Sequence, residues 1–278
     1  GRGEAGGLVN YISKVPLARR VDSAEVTFGS DNFYRLEADH SDLITADGKM
    51  AFRVPLYFQD SDNPRGGKLM HDRRYGIGPS FRWKIGSKTD LTVITSYAYA
   101  QTPGPVGEAY WQNNEQFSLQ VSLNQINPAV NWNPGRGDAY IPVERVFGWE
   151  GRGREAKTSS FTTLLTHKFS DSLSFRQGVG YTHINEEYRR FSLSPTALPN
   201  PATPGDYLVG ISYMHEFRVL NSTRIQGDLL YEKEIANTKH QFLVGYDAFR
   251  GNADTRSGQR GGLAQSLYHP DYTIPAGF

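Results

Sequence analysis

Gly1-Arg2-Gly3-Glu4-Ala5-Gly6-Gly7-Leu8-Val9-Asn10-Tyr11-Ile12-Ser13-Lys14-Val15-Pro16 opens the chain, and the reading of this stretch decides the fold. It contains the spacing G-x-G-x-x-G, the phosphate-cradling pattern of dinucleotide-binding proteins. That pattern needs a strand before the glycines and a helix after them, so that a helix N-terminus meets the pyrophosphate. Here the residues after the glycines, from Leu8 to Ser13, include β-branched and aromatic side chains and have strand character. The nucleotide reading has no helix to stand on. The glycines fit close backbone packing where one strand passes into another element.

The 278 residues include no Cys, 13% aromatics and 29 Gly, with a formal net charge of +1. Lys and Arg are interleaved with Asp and Glu, so there is no basic field for nucleic acid or anionic lipid. Without Cys there are no disulfides, thiolate chemistry or Cys-ligated metals. Mean hydropathy is −0.54, and no apolar run reaches the roughly 18 residues of a transmembrane helix. A transmembrane β-strand needs only about 9–11 residues with every second one apolar. The chain starts at Gly, with no signal peptide, and is expected to be processed, truncated or part of something longer.

Alternation with period two dominates the sequence. The apolar sets are Ala24, Val26 and Phe28; Tyr34, Leu36 and Ala38; Phe52, Val54, Leu56 and Phe58; then Ile77, Phe81, Trp83 and Ile85. They continue as Leu91, Val93, Tyr97 and Tyr99; Phe161, Leu165 and Phe169; and Leu173, Phe175, Val179 and Tyr181. Ile225, Leu229 and Tyr231, then Phe242, Val244 and Tyr246, complete about nine strands, with no stretch of helical period. Pro55 and Pro79 interrupt this pattern and are expected at edge or bulge positions.

The opposite face carries Arg35, Glu37, Asp39, Arg53, Arg82, Lys84, Arg224 and Asp228, which suits a wide, wet lumen. On lipid, such groups would cost roughly 2–4 kcal/mol each at the midplane. Nine strands also exceed a simple eight-stranded soluble barrel. Connections alternate after the first hairpin. Short ones fall at 45–49, 86–90, 170–172 and 236–239, and long ones at 61–74, 103–157, 192–222 and after 251. The first, at 29–33, is a short exception. His40, His167 and His240 share the parity of the apolar faces near one set of strand ends, where an amphipathic ring suits a membrane interface.

Residues 6–16 resemble the segment that closes the plug of TonB-dependent outer-membrane receptors, where Gly-Gly-x-Val/Ile-Asn-x-x-Thr/Ser-Lys-x-Pro leads into the first barrel strand. Gly6, Gly7, Val9, Asn10, Ser13, Lys14 and Pro16 match it. Ser61-Asp62-Asn63-Pro64-Arg65, Phe81-Arg82-Trp83-Lys84 followed by Leu91-Thr92-Val93, and the strand start from Lys239 to Tyr246 are similar to the same family. The resemblance implies an all-β, antiparallel transmembrane barrel of about 22 strands. Residues 1–16 would be the C-terminal end of the plug domain and 17–278 the N-terminal portion of the barrel. With the plug end on the periplasmic side, the short turns are periplasmic and the long loops external. The implied function is energised uptake of ferric siderophores across the bacterial outer membrane, with TonB engaging a region before residue 1. A passive porin-like or adhesive barrel is the alternative, and a soluble β-sheet binding protein a third.

No H-E-x-x-H, G-x-S-x-G or Walker string occurs, and Glu186-Glu187 and the Asp60/Asp62 pair read as solvated charge. No enzyme activity, resident metal or cofactor is expected, iron entering only as a chelate. The loop at 103–157 concentrates three of the four Trp with several Arg. Tyr110, Trp111, Trp132, Arg136, Tyr140 and Trp149 are the candidate ligand-binding residues, because rings supply apolar area and guanidinium supplies charge-assisted hydrogen bonds to an organic anion or metal chelate. The competing use of those aromatics is an upper girdle at the membrane surface. The plug–barrel junction is assigned to Gly6, Gly7, Val9, Asn10, Lys14 and Pro16. An incomplete set of strands leaves open edges, so the chain alone is expected neither to close a pore nor to transport. Its end, near Phe278, is read as falling within a loop.

Overall fold

The computed structural model describes residues 13–63, 67–103, 153–204, 206–236, 238–266, 269 and 271. All regular structure among them is strand: β1 (Val21–Phe28), β2 (Tyr34–Leu43), β3 (Met50–Asn63), β4 (Gly67–Ile77), β5 (Ser80–Ile85), β6 (Thr89–Pro103), β7 (Gly153–Lys168), β8 (Leu173–Pro199), β9 (Tyr207–Ile235) and β10 (Thr238–Ser266). They form one antiparallel sheet in sequence order, with β4 and β5 sharing the lane between β3 and β6. Treated as one interrupted strand, β4 and β5 leave nine lanes, the number expected from alternation.

The interruption explains both prolines, and neither lies at an edge or a bulge. Register with β3 is the same on either side of it, Leu56 facing Ile77 and Arg53 facing Ser80. Pro55 accepts from Gly78 N at 2.9 Å, and Pro79 accepts from Thr95 N at 2.9 Å. Each proline thus keeps its acceptor role and loses only its donor. The two missing donors fall within one stretch of the lane, so the ladder breaks once and resumes in register.

Period two separates two faces. Val26, Leu36, Phe58, Tyr75 and Tyr99 succeed one another across paired positions of the apolar face. Of these, Val26, Leu36 and Tyr75 are exposed and Phe58 and Tyr99 half-buried, and on the same face Phe28 is exposed to 79% and Val244 to 73%. Buried large apolar side chains are few: among the described residues the apolar core consists of Ala51, Ile94, Phe191 and Ile211. A sheet that turns its large apolar side chains outward and keeps little apolar core is built for a non-aqueous exterior. Near one end of that face Tyr34, Phe58, Tyr75 and Tyr99 form a row with centroids 5.7, 6.4 and 4.8 Å apart. The other end carries Trp83, His40 against Phe52 at 5.2 Å, His167 against Phe169 at 4.7 Å, and Tyr231 beside Phe242. Eight residues from Tyr75 to Trp83, tilted as barrel strands are, span about 20 Å. Two aromatic girdles therefore come from strand residues, and His40 and His167 sit at the lower one.

Two glycines make room for rings. A Cβ on Gly76 would lie 2.8 Å from the Tyr57 ring, and one on Gly227 2.7 Å from that of Tyr246. In both places an aromatic from the neighbouring strand covers bare backbone.

The four short turns lie where expected. Gly48, Gly86 and Ala236 take positive φ in three of them, at 67°, 66° and 50°. Three of the expected long loops are corrected. The stretch 192–222 is mostly ladder, with β8 and β9 paired from Leu173↔Tyr231 to Pro199↔Tyr207. Past Gly251, β10 continues to Ser266 through a register shift between Arg260 and Leu263. At 61–74, β3 reaches Asn63 and β4 starts at Gly67. The reason is common to all three. Beyond the upper girdle both faces meet water, so alternation disappears while the ladder goes on.

Candidate functional site

The inner face holds its charges in pairs. Arg35 meets Glu37 at 2.7 Å, Arg176 meets Asp228 at 2.7 Å, and Arg224 meets Asp247 at 2.5 Å. Arg82 is paired with Asp90, and Ser96 and Ser160 share a 2.6 Å hydrogen bond across β6 and β7. Higher up, Glu186 takes Arg154 and stands 3.9 Å from Arg218, which itself holds Glu216 at 2.7 Å. Each of these pairs is neutral as a unit, so the charge they present to a solute of either sign is largely cancelled.

The best-defined constellation lies at the lower end of this face, where residues 14–17 cross the wall. Lys14 Nζ is 2.7 Å from Asp39 Oδ2. Arg53 donates to both oxygens of the same carboxylate, Nε to Oδ1 at 2.9 Å and Nη2 to Oδ2 at 2.7 Å. Its remaining Nη1 donates to Val15 O at 3.1 Å. Ser80 Oγ donates to Lys14 O at 3.2 Å, and Leu17 N donates to Ser41 Oγ at 3.1 Å. Ser41 Oγ in turn donates to Phe52 O at 3.0 Å. Asp39, Ser41 and Ser80 are 6%, 0% and 5% exposed, and Pro16 is buried. Strand parity explains the arrangement. Asp39 and Ser41 are two apart on β2, so both point inward, and Arg53 and Ser80 occupy the inward positions of β3 and β5 beside them.

Next to this segment the wall encloses a cavity of about 500 Å³ whose lining includes Lys14, Glu25, Glu37, Asp39, Tyr57 and Ser96. Arg35 lies over the Tyr57 ring at 5.5 Å. At the outer end His71 bridges Asp60 and Asp62 at 3.1 and 3.3 Å, and Arg73 holds Asp60 at 2.6 Å. Among the described residues no three His, Asp or Glu side chains gather in a metal-holding arrangement. On the tall part of β8 and β9, Glu187 accepts from Arg189 at 2.5 Å and meets His215 Nε2 at 2.6 Å. Burial pushes the Glu187 carboxyl up, but hydrogen bonds from His215 and Arg189 outweigh it and leave the group below its ordinary value.

Of the sequence-assigned residues, Lys14 and Pro16 are brought into the constellation on the wall. Gly6, Gly7, Val9 and Asn10 lie outside the described residues, as do Tyr110, Trp111, Trp132, Arg136, Tyr140 and Trp149. Asp39 and Arg53 were read from sequence only as lumen charge. Ser80 was legible only as one more residue of the polar face and Ser41 was not singled out, because a serine at an inward strand position looks like any wet-face residue. The available signal was parity: both fall on the charged face, within two positions of Asp39 or Arg82.

No family model matches the chain. It is 24% identical over 256 residues to the ferrichrome outer membrane transporter/phage receptor of Escherichia coli K12, covering 91% of this chain and 33% of that protein. It is 25% identical over 259 residues to the metal-pseudopaline receptor CntO of Pseudomonas aeruginosa PAO1, covering 91% and 32%. The ferrioxamine receptor of Yersinia enterocolitica is 23% identical over 254 residues, with 91% and 32% covered. The chain thus spans about a third of the length of the curated relatives it matches. Among solved structures, the open form of the ferric-catecholate import receptor Fiu from E. coli K12 superposes with a TM-score of 0.71 at 16% identity, covering 96% of this chain and 39% of that one. The pyoverdine outer membrane receptor FpvA from P. aeruginosa PAO1 gives 0.70 at 15% identity, covering 95% and 36%. These likenesses establish the fold as part of an antiparallel β-barrel.

Proposed function

We propose that this chain, similar in sequence and fold to the TonB-dependent siderophore receptors, forms the plug junction and N-terminal barrel wall of an outer-membrane receptor for energised uptake of ferric siderophores. Residues 1–16 are then the end of the plug and 17–278 the first strands of the barrel. The role is capture and transport, with iron as chelated cargo, and the energising partner TonB acts on a region preceding these residues.

The observation that carries the reading is the docking of residues 14–17 inside the wall. A passive porin has no need of buried wall groups that bind an incoming chain segment from within. A receptor whose lumen is filled by a plug needs them where plug becomes barrel. The locally neutral inner face supports the same reading, because a bulky chelate of either charge can pass it.

Tyr110, Trp111, Trp132, Arg136, Tyr140 and Trp149 are proposed as ligand contacts. The test uses the full-length receptor, in which ferrichrome, ferrioxamine and a ferric catecholate are titrated against Trp fluorescence. Quenching by at least one, reduced in Trp111→Ala or Arg136→Ala, supports the assignment. No quenching by any ferric hydroxamate, catecholate or carboxylate chelate argues against a siderophore role. Ion conductance without any ligand response favours the porin.

A further inference from the structure

Residues 14–17 contact the wall through four groups at once. The Lys14 ammonium is held by Asp39, Lys14 O by Ser80, Val15 O by Arg53 and Leu17 N by Ser41, all at 2.7–3.2 Å. Three of the four use the backbone of the segment. The wall groups come from β2, β3 and β5, so the segment is fastened to three lanes rather than one.

Ser41 also stands opposite Val21, the first paired residue of β1. The residue that receives Leu17 N is therefore the residue at which the β1 ladder begins. Tension on the chain before Ser13, if nothing intervened, would reach Val21 and open β1 from β2 one pair at a time. An antiparallel ladder loaded from its end yields bond by bond. The contacts at 14–17 tie the segment to β2, β3 and β5, so a load arriving at Ser13 meets three lanes before it reaches Val21.

We propose that residues 14–17 are a stationary strain relief: when the preceding plug is displaced, this segment stays docked and shields β1 from being peeled off the barrel. The inference rests on the receptor reading above and adds to it which part of the plug does not move. The Asp39–Arg53 pair belongs wholly to the wall, so the dock remains formed whether or not the segment is under load.

The test pulls the full-length receptor, held in lipid, by its N-terminus. The expected trace extends through the plug, pauses at the length that ends at residue 13, and only then extracts β1. The pause is lost in Asp39→Asn. It is weakened in Lys14→Met, which leaves the wall pair intact. A second readout uses a Ser41→Cys thiol, residues 1–278 containing no Cys and any Cys elsewhere in the full-length receptor being replaced first. It stays closed to a membrane-impermeant maleimide through the pause. Extension running into β1 without a pause overturns the proposal, as does labelling at position 41 while β1 is still in place. Uptake of ferrichrome and ferrioxamine by the same protein is measured separately. No uptake of these or of any ferric catecholate or carboxylate chelate, with the pause intact, counts against the receptor reading and not against the docked segment.

Discussion

Asp39 carries two cations of unequal standing. The Arg53 side chain is 14% exposed and bidentate, whereas that of Lys14 is 55% exposed. Asp39→Asn strips a nearly buried guanidinium of its counter-ion and is expected to cost about 3 kcal/mol. Lys14→Met removes a partly solvated ammonium and should cost less than about 1 kcal/mol. Urea unfolding of the full-length receptor in detergent, followed by tryptophan fluorescence, checks both; equal losses would contradict the difference in role. Gly76 offers a steric prediction. With the Tyr57 ring at 2.8 Å and Tyr97 O at 3.0 Å from its missing Cβ, Gly76→Ala must displace a ring or a strand, at roughly 1–3 kcal/mol. The Cβ of Gly180→Ala meets only Thr162 Oγ1 at 3.6 Å and should stay within about 0.5 kcal/mol. Combining Gly76→Ala with Tyr57→Ala should recover part of the loss, a coupling that the double-mutant cycle reads directly.

Turns and strands differ in how far they could be read. The turn after β2 shows one chemistry in full: Asp47 accepts from the Thr45 hydroxyl at 2.7 Å and from Lys49 N at 3.1 Å, and pairs with Lys49 Nζ at 2.8 Å. Hydrogen bonding to the Lys49 side chain, then to Thr45 and the Lys49 backbone, holds its carboxyl at about 2, below the ordinary 3.8. A depressed folded-state value means that the stabilisation is present above the ordinary value and disappears as pH falls from about 4 through about 2. Protection of the Lys49 amide, measured against its intrinsic exchange rate at each pH, should therefore fall over that window, and Asp47→Asn should abolish the pH step. The short turns and the nine lanes were legible because, between the girdles, one face meets lipid and the other water. The upper parts of β8, β9 and β10 were not, since runs such as Asn221-Ser222-Thr223 and Gly251-Asn252-Ala253-Asp254 have water on both sides and no apolar period to betray a ladder. The dock was half legible: Lys14 and Pro16 stood out in the opening string, while Ser41, which accepts from Leu17 N, and Ser80, which donates to Lys14 O, lie 24 and 66 residues from those partners and meet them only through sheet register.

At the scale of the molecule, the sheet ends, among the described residues, in two strands with a free side, β1 and β10, and β10 is 29 residues long. Each backbone group left unpaired in lipid costs several kcal/mol. Residues 1–278 alone are expected to need detergent and to show no discrete conductance in a planar bilayer; stable single-channel steps from this chain would refute that. The same sheet has lanes of very unequal height. β1 and β2 turn over directly above the upper girdle at residues 29–33, whereas β8 and β9 remain paired up to Pro199 and Tyr207. From Tyr181, at girdle level, to Leu198 is 17 residues, or about 40 Å of height for a tilted strand. Among the described lanes, the mouth of the vessel is cut on a slant. A large particle arriving over β1 and β2 would find a low sill there, and one arriving over β8 and β9 a parapet.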